Sequence, residues 1–270
     1  MPHYQINHRK STEDSGYDSG YESDGGTTYS PVKSLGAGHY AQARLFQSIS
    51  NQAVAVLKPV RTPGDIEEAL IKHRFFQTIY PDSRSHLHTI ENDYRLVVPY
   101  LQYVPYTQLT MDTPELHKRF FLSAIQALTN CHDKGMSVLD LKADNILYDA
   151  TTYTSYLIDG GLSAPLGSRI DPAAFQDENQ TKVEARKNKH WYIAPECWSV
   201  RPIPVLATEA MDIHCLGALM YNLLENTSTE MNALVDSCLE IDPQKRPTLA
   251  ELMSSLECMD LVNMELPKIK

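Results

Sequence analysis

The chain has 270 residues, of which 42% are hydrophobic and 21% are charged, and its formal net charge is −10. This acidic balance argues against a general nucleic-acid binder, which needs a surplus of Lys and Arg for the phosphate backbone. No run of about 18 apolar residues occurs, so no transmembrane segment is expected, and the N-terminal stretch lacks the apolar centre of a signal peptide. The five cysteines have no CxxC or CxxH partner. That pattern favours reduced thiols of an intracellular, soluble protein over disulfides or a zinc site.

The first 30 residues differ in composition from the rest of the chain. Positions 11–30 contain no aliphatic side chain and no Lys or Arg. Such a segment cannot bury enough apolar surface to offset the entropy lost on ordering, so residues 1–30 are predicted to be a disordered acidic tail rich in Ser, Gly and Tyr. Residues 14–19 and 18–23 each resemble the DSGxxS motif that is phosphorylated and read by a ubiquitin ligase adaptor. A solubilising acidic linker is the alternative interpretation.

Short alternating segments predict three strands between residues 32 and 60, and the third of them ends near Lys58. A loop with Asp65 as the N-cap then leads into a helix predicted over 66–79. Residues 94–99 form a further predicted strand, and residues 114–134 have the periodicity of an amphipathic helix. The predicted order along the chain is three strands, a helix, a further strand and then helices. This order indicates a small β-rich unit joined to a helical one. The residues expected on the buried side of the second helix are Leu116, Phe120, Ile125 and Leu128.

Four motifs then follow in a fixed order. They are DLKADN at 140–145, DG at 159–160, APE at 194–196 and DPQKRPT at 242–248. In this order and spacing they resemble the eukaryotic-type protein kinase family over about residues 33–256. The resemblance implies an α+β, two-lobed protein-kinase-like fold with a small β-rich N-lobe carrying one main helix and a shortened, mostly helical C-lobe. The implied divisions are the tail 1–30, the N-lobe and hinge 31–101, the C-lobe 102–262 and a C-terminal tail 263–270.

The resemblance assigns roles to the charged residues of these motifs. Asp140 resembles the base that accepts the proton of the substrate hydroxyl, and Lys142 would balance charge at the γ-phosphate. Asn145 and Asp159 resemble the two Mg²⁺ ligands, since both offer the hard oxygen donors that this cation prefers. Glu196 and Arg246, a further pair, resemble a structural ion pair that ties the end of the activation segment to the C-lobe.

The resemblance also implies an ATP site between the lobes. Lys58 would hold the α- and β-phosphates, and Gly36 and Gly38 would let a loop cover them. Both Glu67 and Glu68 are candidates for the partner of Lys58. Glu67 is favoured because Ile71, one turn further on, is apolar like the position that follows the family's glutamate. The residues that match adenine-contacting, gatekeeper and hinge positions are Ala43, Val56, Leu147, Val98, Pro99 and Leu101.

Several positions depart from the family pattern. Val138 and Leu139 stand where the family has His-Arg, and Gly160 replaces the Phe of Asp-Phe-Gly. The missing Arg normally pairs with a phosphorylated activation loop, so activity is expected not to depend on that phosphorylation. The long segment between Asp159 and Glu196 is also unusually basic. Its cationic residues are Lys182, Arg186, Lys187, Lys189 and His190, and Lys189 stands where serine/threonine kinases usually have a Thr.

These features predict an ATP- and Mg²⁺-dependent phosphotransferase, favoured as a serine/threonine-type protein kinase. A phosphoinositide kinase on the same fold is one alternative, because the basic segment suits an inositol phosphate headgroup. A pseudokinase scaffold is the other, because of Leu139, Gly160 and the unclear identity of the glutamate that pairs with Lys58. Only residues 226–230 are expected between two C-lobe helices, a trimming that resembles compact effector kinases which some bacteria inject into host cells. This analogy predicts a host protein substrate, a host activator (protein or small molecule) and delivery into the host cytoplasm.

Overall fold

The computed structural model describes residues 29–37, 42–48, 53–81, 85–90, 92–101, 104–105, 109, 113–170, 191–198, 205–224 and 228–259. Several predictions concern residues outside these ranges. They are the tail repeats, Gly38, the C-terminal tail 263–270 and the basic residues Lys182, Arg186, Lys187, Lys189 and His190.

A five-stranded antiparallel sheet forms the N-terminal lobe. Its strands are β1 (Tyr29–Ala37), β2 (Gln42–Ser48), β3 (Ala53–Val60), β4 (His86–Ile90) and β5 (Asp93–Pro99), and their order in the sheet is β1-β2-β3-β5-β4. Because β1 begins at Tyr29, positions 29 and 30 belong to the sheet and not to the predicted tail. Strand β4, which pairs with β5, was not predicted from the sequence, since its side chains are mostly polar.

Helix α1 (Pro63–Ile79) packs against this sheet and begins earlier than expected. Its N-cap is Thr62 and not Asp65, because the two residues form a capping box. The Thr62 hydroxyl accepts from the Asp65 amide at 3.1 Å, and the Asp65 carboxylate accepts from the Thr62 amide at 2.9 Å. The Thr62 hydroxyl and amide, opposed by burial, lower the pKa of Asp65 to about 2. Pro63 has no N–H to lose at the first helical position, so it starts the helix at little cost.

The C-terminal lobe is mostly helical. Its α-helices are α2 (Pro114–Asp133), α3 (Glu209–Leu223), α4 (Thr229–Cys238) and α5 (Leu249–Cys258). The long helix α2 buries Phe120, Ile125 and Leu128 as predicted, whereas Leu116 is half-buried. The connection between α3 and α4 spans only residues 224–228.

Short strands complete this lobe and frame the loops between its helices. They form one three-stranded sheet in the order β6-β8-β9 and two pairs, β7 with β10 and β11 with β12. These strands are β6 (Val104–Pro105), β7 (Met136–Ser137), β8 (Ile146–Asp149), β9 (Thr154–Leu157), β10 (Ala164–Pro165), β11 (Arg169–Ile170) and β12 (Val205–Leu206).

One apolar core runs through both lobes. It joins Phe75 and Phe76 of α1 to Phe120 of α2 and to the helices of the C-terminal lobe. All five cysteines are free thiols, and four of them are buried. Within the described ranges, none of the helices is both long enough and apolar enough to cross a bilayer.

Candidate active site

The loop that carries the DLKADN motif is held by hydrogen bonds to Asp212 of α3. This carboxylate is fully buried and accepts from the amides of Val138 at 2.9 Å and Leu139 at 2.7 Å. The Ser137 hydroxyl donates to it at 2.9 Å, and His132 Nε2 lies 2.8 Å from it. Leu139 has a φ of 65°, a costly value for a branched residue, and these bonds hold it there. The hydrogen bonds from the Val138 and Leu139 amides to Asp212 thus orient the backbone that leads into the next residue, Asp140.

Asp140, Lys142 and Asn145 form one hydrogen-bonded group. Lys142 Nζ donates to the Asp140 carboxylate at 2.9 Å, and Asn145 Nδ2 donates to it at 3.0 Å and to the Asp140 carbonyl at 2.9 Å. Because the amide nitrogen of Asn145 faces Asp140, its amide oxygen remains for another ligand. The Asn145 carbonyl also accepts from the Ile158 amide at 3.0 Å, which brings the neighbouring Asp159 beside this group.

A line of alternating charges connects β3 to Asp159. Lys58 Nζ lies 2.7 Å from Glu68 Oε2 and 3.2 Å from Asp65 Oδ1. Lys72 Nζ lies 2.9 Å from Glu68 Oε1 and 3.2 Å from Asp159 Oδ1. Four side chains from three different segments therefore form one network, in the order Lys58, Glu68, Lys72, Asp159.

The expected partner of Lys58 was Glu67, and this expectation is wrong. Glu68 makes the ion pair, whereas Glu67 is exposed. The buried face of α1 runs through Glu68, Lys72 and Phe75, spaced three and four residues apart, and Glu67 lies about 100° around the helix from that face. The (i, i+4) pair of Glu68 and Lys72 at the head of an apolar face was the sequence signal for this arrangement.

Three groups of this network, Lys58, Glu68 and Lys72, have pKa values shifted towards their charged forms. Burial opposes ionisation of Glu68, but Lys58 and Lys72 outweigh it and lower the pKa of Glu68. Burial also disfavours the charge on Lys72, but Asp159 and Glu68 raise its pKa overall. The pKa of Lys58 is raised in the same way, against its partial burial, by Glu68 and Asp65. All three groups are therefore charged at neutral pH.

The ring of Phe75 occupies the space beside Gly160. A Cβ atom added at Gly160 would overlap the Phe75 side chain. At Gly161 an added Cβ would lie 2.8 Å from Lys72 Cε. The Asp159-Gly160-Gly161 motif lacks the aromatic side chain that the family has at its second position, and the ring of Phe75 from α1 fills the space beside that position instead. The motif therefore packs directly against α1.

Further contacts tie α1 to the C-terminal lobe. The Tyr80 hydroxyl, just after the helix, donates to the Leu157 carbonyl at 3.0 Å. Lys134 Nζ donates to the Ile79 carbonyl at 2.7 Å, which satisfies one of the last carbonyls of the helix. Together with the contacts of Lys72 and Phe75, they join α1 to the C-terminal lobe along much of the length of the helix.

The predicted adenine slot needs one correction, at β3. Val56 is fully buried on the sheet face that carries Phe46 and Val97, and not on the face towards α1. The register of β3 and β5 shifts between Val56 and Pro59, and such a bulge breaks strict alternation. Ala55 lies directly opposite Val98, and both belong to the core that contains α1.

The other residues predicted to contact the nucleotide lie on β2, on β8 and at or just after the end of β5. Ala43 pairs with Gly36 across β1 and β2, and its side chain is half-buried. Leu147 is half-buried between Ile146 and Tyr148, which point into the main core, so Leu147 points to the opposite face of β8. The half-buried residues at the end of β5 include Pro99 and Leu101.

Arg246 and Glu196 form the buried ion pair expected for the C-terminal lobe. Arg246 Nη1 donates to Glu196 Oε1 at 2.7 Å and Nη2 donates to Oε2 at 2.9 Å, a two-point contact. The same guanidinium donates to the carbonyls of Ala210 and Glu240, both at 2.8 Å. Its side chain is 0% exposed, so every donor depends on these partners.

We expect Arg246→Ala to lower the free energy of unfolding by about 3–5 kcal/mol, because it leaves the Glu196 carboxylate and two carbonyls without their donor. Urea denaturation of both proteins measures this difference. Lys245→Ala is the matched control, because Lys245 is exposed and its loss should change stability little. Equal denaturation midpoints for wild type and Arg246→Ala would show that the pair is not structural.

Comparison with known proteins identifies the family to which this chain belongs. A family model described as the protein kinase domain matches residues 29–229. The chain belongs to the protein kinase domain family. This result confirms the expected family, and the two-lobed α+β architecture confirms the expected fold class.

Individual relatives match at low identity. A serine/threonine-protein kinase pim-2 from Danio rerio is 25% identical over 51% of this chain and 46% of its own length. Serine/threonine-protein kinase D from Synechocystis is 23% identical over 83% of this chain and 50% of its own length. NUAK family SNF1-like kinase 2 from Rattus norvegicus is 29% identical over 84% of this chain and 34% of its own length. The chain thus spans half or less of the length of each of these proteins.

Proposed function

We propose that this chain is an ATP- and Mg²⁺-dependent phosphotransferase that acts on serine or threonine hydroxyls of proteins. The observation that carries the proposal is that the hydrogen-bonded group of Asp140, Lys142 and Asn145 lies beside Asp159. Ion pairs through Lys72 and Glu68 connect Asp159 in turn to Lys58 on β3. A scaffold without catalysis would not need all of these charges. The names of the relatives, serine/threonine kinases among them, support a protein acceptor.

The carboxylate of Asp140 is the proposed proton acceptor. It is held by two donors, Lys142 and Asn145, so its orientation is set before a substrate hydroxyl arrives. Lys142 Nζ brings a positive charge next to the same carboxylate and would balance the charge that develops on the transferred phosphoryl group. Tyr192 lies at the edge of this group, with its hydroxyl 3.5 Å from Lys142 Nζ.

The residues present fit a Mg²⁺ ion. The amide oxygen of Asn145 faces away from Asp140, and Asp159 Oδ2 has no hydrogen-bond partner among the described residues, so both are hard oxygen donors available to a cation. When bound, Mg²⁺ neutralises the charge of the nucleotide phosphates. Lys58 would contact the phosphates from β3, and we propose that Ala43 and Ala55 lie above the adenine and Leu147 below it.

We propose that activity does not require phosphorylation of the activation segment. Leu139 stands where the phosphate-binding Arg would be, and it is buried. The position of α1 depends instead on Lys72 and Phe75, which contact the start of that segment at Asp159 and Gly160, and on Tyr80, which donates to the Leu157 carbonyl. None of these contacts requires a phosphate group. We also propose that the acceptor is a protein of a host cell. This part of the proposal is supported by the short connection between α3 and α4, which resembles the trimming seen in compact bacterial effector kinases.

The test is phosphate transfer from labelled ATP in the presence of Mg²⁺, for wild type and Asp159→Ala. We expect the variant to lose at least about 100-fold in rate, because it lacks a metal ligand. Asp236→Ala, an exposed carboxylate on α4, is the control and should keep the wild-type rate.

The acceptor is identified in the same assay by offering eukaryotic cell lysate and phosphoinositide vesicles side by side. Label on lysate proteins supports the proposed function, and dependence on lysate for basal turnover points to a host activator. Label on lipid alone would replace the protein acceptor by a phosphoinositide. Nucleotide binding with no transfer to either acceptor would favour a scaffold without catalysis.

A further inference from the structure

Lys72 is a buried charge to which the proposed phosphotransfer assigns no chemical step. Its side chain is 6% exposed, and its ammonium group lies between two carboxylates, Glu68 at 2.9 Å and Asp159 at 3.2 Å. Burying an ammonium group is costly unless it is paired, so its position depends on these two contacts. One of them is the carboxylate that fits a divalent cation.

The contacts that Asp159 makes with the described residues involve one carboxylate oxygen, Oδ1. Oδ1 accepts from the Gly161 amide at 3.0 Å and also meets Lys72 Nζ. Oδ2 has neither contact, so it is the oxygen left for a cation. The two partners of Oδ1 come from different parts of the fold, one from the motif itself and one from α1, and together they fix the rotation of the carboxylate.

The same ammonium group also opposes a cation electrostatically. Lys72 places a full positive charge within 3.2 Å of the carboxylate that would ligate the metal, in a partly buried site where charges are poorly screened. Lys72 should therefore have two separate effects. It improves the geometry of Asp159, and it weakens the attraction of the site for metal.

We propose that Lys72 is a positioning residue of phosphotransfer, which holds Asp159 through Oδ1 and links α1 to the metal-binding carboxylate at the cost of weaker cation binding. This inference rests on the proposed function of the same site. It predicts opposite changes in metal affinity and turnover when the charge is removed, whereas a residue that only stabilised the fold would weaken both.

The experiment is a Mn²⁺ titration followed by electron paramagnetic resonance, with a non-hydrolysable ATP analogue present, on wild type and Lys72→Met. We expect Lys72→Met to bind Mn²⁺ at least about threefold more tightly, because one positive charge is lost beside the ligand. Its turnover number with Mg²⁺ should fall roughly tenfold to 100-fold, because Asp159 is no longer held in place. Lys72→Arg, which keeps the charge, should retain the wild-type Mn²⁺ affinity.

Arg74→Met is the control on the same helix, since Arg74 is exposed, and it should change neither quantity. Thermal melting shows whether each variant is folded, and Lys72→Gln carries the same predictions if Lys72→Met does not fold. Unchanged or weaker Mn²⁺ binding in the folded, charge-neutral variant would overturn the role of Lys72 and leave the proposed function standing. Absence of nucleotide-dependent Mn²⁺ binding in wild type would overturn both.

Discussion

Asp140→Asn is expected to lower the rate of phosphoryl transfer at least about 100-fold while leaving nucleotide affinity unchanged. Asparagine keeps the size and shape of the side chain but cannot accept a proton from the acceptor hydroxyl. The hydrogen-bonding partners of this position, Lys142 and Asn145, stay in place, so the loss should be in the chemical step. Single-turnover rates with labelled ATP, together with the nucleotide dissociation constant, separate these two effects.

The matched control for this prediction is Asp144→Asn in the same loop. Asp144 is exposed and lies next to Asn145 in the chain, so it tests whether any loss of charge in this loop slows the reaction. We expect it to keep the wild-type rate. A full rate in Asp140→Asn, or an equal loss in both variants, would remove Asp140 from the role of proton acceptor.

Gly160→Phe, which restores the common family residue, is expected to destabilise this protein by several kcal/mol. The space beside Gly160 is filled by the ring of Phe75, and even a single added carbon would overlap it. Overpacking a close-packed core typically costs about 1–3 kcal/mol, and a whole aromatic side chain exceeds what small shifts can absorb. Urea denaturation of the variant measures the loss.

The double variant Phe75→Ala/Gly160→Phe tests whether the two aromatic rings compete for one space. Phe75→Ala alone should cost about 3–5 kcal/mol, because Phe75 is fully buried and leaves a cavity. If the space is shared, the double variant should be more stable than the sum of the single losses predicts. Gly64→Phe, at an open position in the first turn of α1, should cost little. Strict additivity of the two single losses would show that the rings occupy separate places.

Residues that act within one short loop could be predicted from sequence. Asp140, Lys142 and Asn145 lie within six positions, and the chain between them is too short to separate them. Their mutual hydrogen bonds in the structure follow from this closeness. The order and spacing of the motifs along the chain were likewise enough to show a resemblance to the kinase family, and that resemblance implied the two-lobed fold.

Residues whose partners come from distant segments could not be predicted this way. Glu67 and Glu68 are equivalent candidates in the sequence. One step along α1 turns a side chain by about 100°, so Glu67 is exposed whereas Glu68 reaches Lys58. One extra residue in β3 turns Val56 away from the site and leaves Ala55 facing it.

The sequence by itself determined the family, the two lobes and the loop around Asp140. Only the tertiary structure decided that Glu68 is the partner of Lys58, that Lys72 reaches Asp159, and that Phe75 fills the space beside Gly160. Each of these facts depends on how a helix is rotated and docked against another lobe. That rotation is set by the packing of the whole core, which no local pattern of residues contains.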